Sequence, residues 1–335
     1  MRKVTIVGDG GWGTALAVHL ARGGRPVTVW GPFPECIDRI RADRENKDYL
    51  PGIALPDGIA WTADRAAAVD QAGIVVLAVP SKFFRTVASS FRGLLPAGAH
   101  LVSVAKGLEA ETHCRMTQTA ERELRSGPVA ALSGPSHAEE VAREIPTAVT
   151  IASTDSNLCR ELQDVFSSRC FRVYTSDDVV GVELGGALKN VIAVAVGVCD
   201  GLGFGDNTRA AVITRGLAEI TRLGTALGAR PITFAGLSGM GDLIVTCTSR
   251  HSRNRGVGER IGRGEAVSDI LAGMKQVAEG ITNCRAAYEL AAAQDVEVPI
   301  AAEVFRIVYE NKSPSAAVNA LLSREMKPEH PDSPG

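Results

Sequence analysis

The sequence predicts an α/β protein: an N-terminal Rossmann-type domain with a doubly wound, mostly parallel sheet, followed by an all-α C-terminal domain. Three observations lead to this fold class. Short apolar runs alternate with helical patterns in the first half, a glycine-rich turn joins the first run to the first helix, and strand-like runs stop near residue 177. We place a dinucleotide-binding domain at residues 1–177, a helical substrate-binding domain at 178–326 and a flexible tail at 327–335.

The first βαβ unit carries the glycine-rich turn. Residues 3–8 predict a buried strand, residues 14–21 a helix and residues 26–30 the next strand. The turn between strand and helix has the spacing G-x-G-x-x-G and contains Gly8, Gly10, Gly11, Trp12 and Gly13. In this context the pattern favours a dinucleotide site over a plain turn, because the glycines admit a pyrophosphate and the helix N-terminus supplies N–H donors.

The end of the second strand departs from the usual dinucleotide fingerprint. An acidic residue there would bind the ribose 2′-hydroxyl of NAD. Residues 28–33 contain neither an acid nor a base; Glu35 is the first carboxylate after them and Arg39 the first cation. The sequence therefore does not choose between NAD and NADP. Because no carboxylate is present to repel a 2′-phosphate, the sequence slightly favours NADP as the cofactor.

Later strand-like runs end in distinctive residues. The run at 74–79 ends in Pro-Ser, the run at 100–105 in Lys106, and the run at 129–132 in residues 133–136. Ligands bind beyond the carboxyl ends of such strands. Lys106 is thus a candidate for binding an anion or polarising a carbonyl, with a solvated loop lysine as the alternative. Residues 133–136 could wrap a ligand or merely cap the next helix.

Residues 181–199 predict one long helix that is apolar on nearly every side, as in a buried core helix. Glu183 and Lys189 interrupt it, so we do not interpret it as a membrane span. The small residues Gly185 and Ala193 share a face with Lys189 and leave room for a ligand to approach the amine. Burial would lower the pKa of Lys189 and suit it to act as a base. The alternative is a lysine that reaches the surface or pairs with a carboxylate.

The helical half contains two more candidate segments. Residues 237–243 form a glycine-rich loop with one carboxylate, Asp242. Residues 246–255 combine hydroxyl groups with several arginines just before a predicted helix, which favours a phosphate site over a solvated basic loop. The cluster is short and lacks interleaved aromatic residues, so nucleic-acid binding is not expected.

Composition limits the classes of protein that remain. The 335 residues carry a formal charge of -2, which offers no footprint for nucleic acid. Seven cysteines, an odd number without a C-x-x-C pair, fit reduced thiols in a cytoplasm. The six histidines show no metal-ligand spacing, so no metal is expected. The chain enters its first strand directly after Met1-Arg2, without the pattern of a signal peptide.

At this point the chain resembles a known family, the bacterial NAD(P)-dependent sn-glycerol-3-phosphate dehydrogenases. The resemblance extends over essentially the whole chain, and its specific segments follow one another in order. They are residues 8–17 (GDGGWGTALA), 105–109 (AKGLE), 133–136 (SGPS), 183–191 (ELGGALKNV), 205–207 (GDN), 239–243 (GMGDL), 252–255 (SRNR) and 277–280 (VAEG).

The resemblance implies interconversion of glycerol 3-phosphate and dihydroxyacetone phosphate by a homodimer, feeding phospholipid synthesis. It makes Lys189 the proton acceptor, with Lys106 and Asp242 as its catalytic partners. Matching cofactor-binding positions are Gly11, Trp12, Lys106, Ala138, Arg253, Val277 and Glu279. Matching substrate-binding positions are Lys106, Gly134, Ser136, Lys189, Asp242, Ser252, Arg253 and Asn254.

Two departures from the family pattern and two rival functions remain. The family often has Ser where Gly11 stands, and Gly31-Pro32 replaces a basic residue that commonly follows the second strand. One rival is a related dehydrogenase for a β-hydroxy acid or a ketopantoate-like substrate. The other is a non-catalytic dinucleotide sensor, which would need no base such as Lys189.

Overall fold

In the computed structural model, which describes residues 2–274, 277–326 and 328–329, eight strands form one sheet. Their order is β3-β2-β1-β4-β5-β6-β7-β8, and all neighbouring pairs are parallel except β6 with β7. The strands are β1 (Lys3–Val7), β2 (Val27–Trp30), β3 (Ile59–Thr62), β4 (Ala72–Leu77), β5 (His100–Ser103), β6 (Ala130–Ser133), β7 (Thr147–Ala152) and β8 (Phe171–Ser176). The predicted doubly wound, mostly parallel sheet is confirmed.

Helices connect the strands and cover both faces of the sheet. They are α1 (Gly11–Arg22), α2 (Pro34–Asp43), α3 (Arg65–Val69), α4 (Ser81–Ser90), α5 (Met116–Leu124), α6 (Ala138–Ala142) and α7 (Ser156–Phe166). Two apolar clusters fill the space between helices and sheet, one centred on Leu16 and Ile74 and the other on Phe84 and Phe91. Because β1 lies between β2 and β4, the strand order reverses there, and such a switch point is where ligands bind.

From Val179 onwards the regular elements that the structure describes are helical. They are α8 (Val179–Gly201), α9 (Asp206–Ala226), α10 (Pro231–Phe234), a π-helical turn (Leu237–Gly241), α11 (Asp242–Thr248), α12 (Arg253–Gly262), α13 (Val267–Ala272), α14 (Glu279–Ala293), α15 (Pro299–Tyr309) and α16 (Pro314–Leu322). The all-α C-terminal part is confirmed. As a division into two domains, the border at 177/178 stays a prediction. The predicted tail at 327–335 lies outside the described residues except for 328 and 329.

Helix α8 is the core of the helical part. By length and composition it could cross a membrane, since its most apolar 18-residue window holds at most two charged residues, yet 89% of that window is buried inside the protein. Burial, rather than the interruption by Glu183 and Lys189, therefore distinguishes it from a membrane span. The apolar side chains of α8 form one cluster with those of α9, α12, α14 and α15.

Helix α12 packs against α8 through glycines on both helices. A Cβ at Gly197 would lie 2.0 Å from the carbonyl oxygen of Arg255, and a Cβ at Gly258 would lie 2.1 Å from that of Val194. Any larger residue would force the two backbones apart. Because α12 begins at Arg253, this close packing sets the position of the basic segment relative to Lys189.

Candidate active site

The glycine-rich turn has the form that a dinucleotide site requires. Gly8 has φ +123°, and a Cβ there would lie 2.5 Å from Ala78 O; a Cβ at Gly13 would lie 2.1 Å from Gly8 O. A Cβ at Gly10 would meet no described atom within 4 Å, so its face is open towards the N-terminus of α1. The first and third glycines are thus needed by the fold, while the second leaves space where a diphosphate fits.

Gly11 and Ala138 stand side by side at the same edge of the sheet. A Cβ at Gly11 would lie 2.7 Å from Tyr49 O and 3.8 Å from the Ala138 methyl group. Where the family often has Ser, Gly11 lacks a hydroxyl group. The Tyr49 carbonyl occupies the space that a side chain at this position would take. Trp12 packs against the core, and its buried indole N–H has no hydrogen-bond partner among the described residues.

Two lysines share one carboxylate where the helical part meets the sheet. Asp242 Oδ1 is 2.7 Å from Lys189 Nζ, and Asp242 Oδ2 is 2.8 Å from Lys106 Nζ. Lys189 is 5% exposed and Asp242 1% exposed. Lys189 also donates to the Thr246 hydroxyl. The alternative in which Lys189 pairs with a carboxylate is therefore correct, and the carboxylate is one that the sequence analysis also assigned to the site.

Burial and neighbouring charges together shift the pKa values of Lys189 and Asp242. It lowers the pKa of Lys189 to about 8, with Asp242 opposing the shift and the Lys106 charge adding to it. Burial alone would raise the pKa of Asp242, but Lys106 and Lys189 outweigh it and hold that pKa below its usual value. Lys189 can thus exchange a proton near neutral pH while Asp242 stays ionised.

Lys106 is placed by the loops that follow β5 and β6. Its ammonium donates to Gly134 O at 2.8 Å and to Ser136 Oγ at 3.2 Å. Gly134 has φ +141°, and a Cβ there would lie 2.9 Å from the Cα of Val149. Hydrogen bonds therefore fix Lys106 beyond the end of β5, and the alternative of a freely solvated loop lysine is wrong.

The small residues of α8 do not play the part predicted for them. A Cβ at Gly185 would lie 2.5 Å from Ser238 O in the π-helical turn, and a Cβ at Gly186 would lie 2.6 Å from Ser133 Oγ. Gly185 therefore admits the protein's own turn, which precedes Asp242, and not a ligand. Ala193 is fully buried in the helical core. The expectation that Gly185 and Ala193 open a path to the amine is wrong, because neighbouring elements fill that space.

Three asparagines connect the site segments. Asn190 donates to Lys106 O at 3.1 Å and accepts from Asn254 Nδ2 at 2.9 Å, and Asn254 Oδ1 accepts from Gly280 N at 2.9 Å. Asn283 accepts from Leu108 N at 3.2 Å. Asn254 thus has a positioning role besides the second amide N–H that it can offer a ligand.

The basic segment separates into structural and available groups. Ser252 is buried, and its hydroxyl caps α12 by accepting from Arg255 N at 3.2 Å. The Arg255 guanidinium is 2.7 Å from Asp200 Oδ2 and so is already neutralised. Arg253 is exposed and donates to Val277 O at 3.1 Å. Arg253 is therefore the arginine of this helix start that remains suited to an anionic ligand.

Glu279 is the first residue of α14, in the helical part, and it contacts the N-terminal half. Its carboxylate accepts from Ser81 N at 2.8 Å and from the Ser81 hydroxyl, at the start of α4. A Cβ at Gly107 would lie 2.6 Å from Ser81 Cβ and 2.9 Å from Glu279 Oε2. Glu279 therefore joins the two halves beside Lys106.

Several residues of the site were not singled out from the sequence, namely Asn190, Asn283 and His137. Thr246, His251 and Ser81 stood in predicted segments, but no role was predicted for their side chains. The rings of His137 and His251 lie 5.8 Å apart, and His137 Nε2 is buried without a partner in the described part of the chain. Burial lowers the pKa of His137, and the charges of Lys189 and Lys106 lower it further. His137 directly follows the Ser133–Ser136 segment, which was the available signal.

A cleft of about 700 Å³ lies beyond the ends of β2 and β3, where the adenosine half of a dinucleotide binds in a Rossmann sheet. Trp30, Pro32 and Arg65 are among its lining residues. This cleft is a candidate for the adenosine half, and the open face of Gly10 at the N-terminus of α1 is a candidate for the diphosphate. Sheet, turn and buried lysine together define the class of protein: dehydrogenases with a Rossmann sheet and a helical C-terminal part.

Comparisons with known proteins specify the family. The model for the N-terminus of NAD-dependent glycerol-3-phosphate dehydrogenase matches residues 3–159, and the model for its C-terminus matches residues 178–319. The chain belongs to this family of NAD(P)-dependent oxidoreductases.

Individual relatives agree with this assignment. A glycerol-3-phosphate dehydrogenase [NAD(P)+] of Pelotomaculum thermopropionicum is 50% identical over 325 residues, covering 96% of this chain and 93% of the relative. The enzyme of that name from Geobacillus kaustophilus is 48% identical, covering 99% and 97%. The crystal structure of glycerol-3-phosphate dehydrogenase from Coxiella burnetii is 38% identical, with a TM-score of 0.93 and coverage of 96% of this chain and 99% of that one.

Proposed function

We propose that this chain interconverts sn-glycerol 3-phosphate and dihydroxyacetone phosphate, with Lys189 as the general acid and base. The observation that carries the proposal is the buried Lys189–Asp242–Lys106 triad at the carboxyl edge of a dinucleotide-binding sheet. Relatives that are about half identical over nearly the whole chain carry the name of this activity.

The proton transfer follows from the charge state of Lys189. In the oxidation direction the neutral amine accepts the proton of the substrate C2 hydroxyl as C2 loses a hydride. In the reduction direction the ammonium returns that proton to the developing alkoxide. When bound, the nicotinamide supplies the hydride acceptor or donor. A pKa of about 8 keeps both forms of Lys189 accessible near neutral pH.

Lys106 and Asp242 support this transfer electrostatically. The Lys106 ammonium stabilises negative charge on the C2 oxygen, and such preorganised charges act strongly in sites that exclude water. Asp242 holds both lysines and offsets their mutual repulsion. Thr246 fixes the second side of the Lys189 amine.

Other residues hold the two ligands. The phosphate and the glycerol hydroxyls of the substrate are bound by Gly134, Ser136, Ser252, Arg253 and Asn254, besides the lysines. Ser252 caps α12 as an acceptor and can still donate its hydroxyl proton to the substrate. The dinucleotide is held by Gly8, Gly10, Gly11, Trp12, Gly13, Lys106, Ala138, Arg253, Val277 and Glu279. Arg253 contributes to the binding of both ligands, because it lies at the start of α12 and donates to Val277 O.

The cellular setting forms part of the proposal. The protein acts as a homodimer in the cytoplasm and supplies glycerol 3-phosphate for phospholipid synthesis, as the family resemblance implies. All seven cysteines are unpaired, which supports a reducing compartment.

Turnover of alternative substrates tests the proposal. The rate of NADH and NADPH oxidation is measured with three substrates in turn. They are dihydroxyacetone phosphate, ketopantoate and a keto acid whose reduction gives a β-hydroxy acid. We expect turnover with dihydroxyacetone phosphate alone. Turnover restricted to a keto acid would assign the chain to the related dehydrogenases. Cofactor binding without turnover of any substrate would identify a dinucleotide sensor.

A further inference from the structure

An acidic side chain lies inside the dinucleotide turn, between Gly8 and Gly10. Asp9 is 9% exposed, and its carboxylate lies against Gly31, the residue that follows β2. A Cβ at Gly31 would lie 2.6 Å from Asp9 Oδ2 and 2.7 Å from Asp9 Cγ. The Asp9 carboxylate therefore occupies the space that a side chain at position 31 would take.

The backbone of Asp9 is held firmly in this place. Its carbonyl oxygen accepts from Asn46 Nδ2 at 2.7 Å and from Thr14 Oγ1 at 3.3 Å, and Asn46 also donates to Thr14 Oγ1 at 2.8 Å. These bonds hold the carbonyl, whereas the carboxylate bonds to the backbone of its own residue. In the described part of the chain no lysine or arginine forms an ion pair with Asp9, and burial raises its pKa. Burial of an ionised carboxylate without a cation is costly, so a hydrogen-bond donor from a ligand would stabilise it.

The position of this carboxylate corresponds to a known recognition point of the fold. In Rossmann domains an acid at the end of the second strand accepts the ribose 2′-hydroxyl of NAD. This chain has glycine at the end of β2, and the end of the adjacent strand β1 brings a carboxylate to the same place instead. Gly31 lies between Trp30 and Pro32, which both line the cleft of about 700 Å³.

We propose that Asp9 accepts a hydrogen bond from the adenosine ribose 2′-hydroxyl and repels a 2′-phosphate, so that the enzyme prefers NAD(H) to NADP(H). The proposal rests on the proposed dehydrogenase function for its kinetic consequence. It reverses the slight lean towards NADP, which came from the missing acid after β2. No carboxylate follows β2 in the sequence, but the fold brings the Asp9 carboxylate next to the end of β2.

One cation lines the same cleft. Arg65 is exposed at the start of α3, and no ion pair of Arg65 is found among the described residues. If Arg65 bound a 2′-phosphate, it would offset the charge of Asp9 and favour NADP(H). Substitution of Arg65 therefore belongs in the same experiment.

The test measures dissociation constants of NADH and NADPH by fluorescence, without substrate, and kcat/KM for both with dihydroxyacetone phosphate. The variants are Asp9→Asn, Asp9→Ala, Arg65→Gln and, as a control, Asp64→Asn. Asp64 lines the same cleft, and its Oδ1 accepts from Ala66 N at 2.8 Å, a bond that asparagine can keep. The control removes a nearby negative charge without touching the ribose acceptor.

We expect the unaltered protein to bind NADH at least about tenfold more tightly than NADPH. Asp9→Asn and Asp9→Ala should each lower this preference about tenfold, chiefly through tighter NADPH binding, and Asp64→Asn should change it less than about twofold. Three results would overturn the inference: preference for NADPH in the unaltered protein, equal preferences before and after substitution of Asp9, or a selective loss of NADPH binding in Arg65→Gln. Because binding is measured without substrate, absent turnover would contradict the proposed reaction and still leave the role of Asp9 decided.

Discussion

Lys189 owes its proposed chemistry to burial and to two charged neighbours that the chain brings from separate segments. Burial among the residues of α8 favours the neutral amine, Asp242 favours the ammonium, and Lys106 opposes it. The balance places the pKa at about 8. A lysine with a single carboxylate partner in water would titrate above pH 10 and would be a poor base at neutral pH.

The pH dependence of both directions follows from this pKa. The neutral amine accepts the proton during oxidation, so kcat/KM for glycerol 3-phosphate should rise about tenfold per pH unit below pH 8 and level off above it. Reduction of dihydroxyacetone phosphate requires the ammonium and should fall above the same pH. Initial rates between pH 6 and 9.5 provide the measurement. Profiles that are flat in both directions would show that Lys189 does not titrate in the reaction.

At the residue scale the charged groups of the triad could be predicted from local sequence, whereas their uncharged hydrogen-bond partners could not. Lys189, Lys106 and Asp242 could be predicted because an isolated charge in an apolar or glycine-rich segment is conspicuous. Thr246 and Asn190 could not, because a hydroxyl or amide acquires its role only from the partner that the fold brings to it. Where side chains are small, the sequence does not show what fills the space beside them.

Among the elements, α8 and α12 depend on glycine more than any apolar pattern indicates. Gly258 faces Val194 O, so a methyl group there would separate the helices or bend α12. Gly256 lies in the same helix, and a Cβ there would meet no described atom within 4 Å. The two positions therefore form a matched pair for substitution by alanine.

Gly258→Ala should lower the free energy of unfolding by about 3 kcal/mol, because overpacking of a close helix contact cannot relax easily. It should also raise the KM for the substrate, since α12 begins with Arg253. Gly256→Ala should raise the free energy of unfolding by about 0.5–1 kcal/mol through helix propensity alone. Urea denaturation followed by circular dichroism measures both. Equal effects of the two substitutions would refute the close-packing interpretation.

Helix α15 has a capping group from a distant helix. Val298 precedes its first turn and offers no side-chain acceptor, while Glu219 of α9 accepts from Ile300 N at 2.8 Å and from Ala301 N at 3.2 Å. Burial raises the pKa of Glu219 to about 7, and these two N–H groups reduce the shift only partly. This cap therefore makes stability depend on pH.

The sign of this dependence is fixed by the raised pKa. Between pH 4.5 and about 7 the folded protein binds the Glu219 proton more tightly than the unfolded chain, so its contribution to stability is lost as pH rises through that range. Relative to Glu219→Gln, which does not titrate, the unaltered protein should lose about 2 kcal/mol of unfolding free energy between pH 5 and pH 7.5. Denaturation of both proteins at the two pH values tests this. A difference that does not change with pH would contradict the assignment.

At this scale the strands and α8 could be predicted, since continuous apolar runs and a 23-residue helix give strong patterns. The helices α2, α5 and α7 were not predicted. Each is at most 11 residues long, so its apolar pattern repeats over only about three turns. The antiparallel pairing of β6 with β7 also depends on a topology that no local pattern specifies.

Across the whole molecule, the site is assembled where the sheet meets the helical bundle. Lys106 pairs with Asp242 across this junction, and Ser81 donates to Glu279 nearby. Lys189 stands on the bundle side, at the point that both ligands must reach. The sequence indicated the two parts and the family. It did not indicate that the Asp9 carboxylate would lie where an acid at the end of β2 is expected, because the two positions become neighbours only in the folded protein.

The central claim is that this junction transfers a proton through Lys189. Single-turnover reduction of dihydroxyacetone phosphate by Lys189→Met tests it most directly, with NADH binding measured in parallel and Lys3→Met, at the start of β1, as the control. We predict a loss of about 10²–10⁴-fold in the rate of the chemical step, an NADH dissociation constant within about threefold of the unaltered value, and unchanged rates in the control. A rate in Lys189→Met close to that of the unaltered protein would contradict the account.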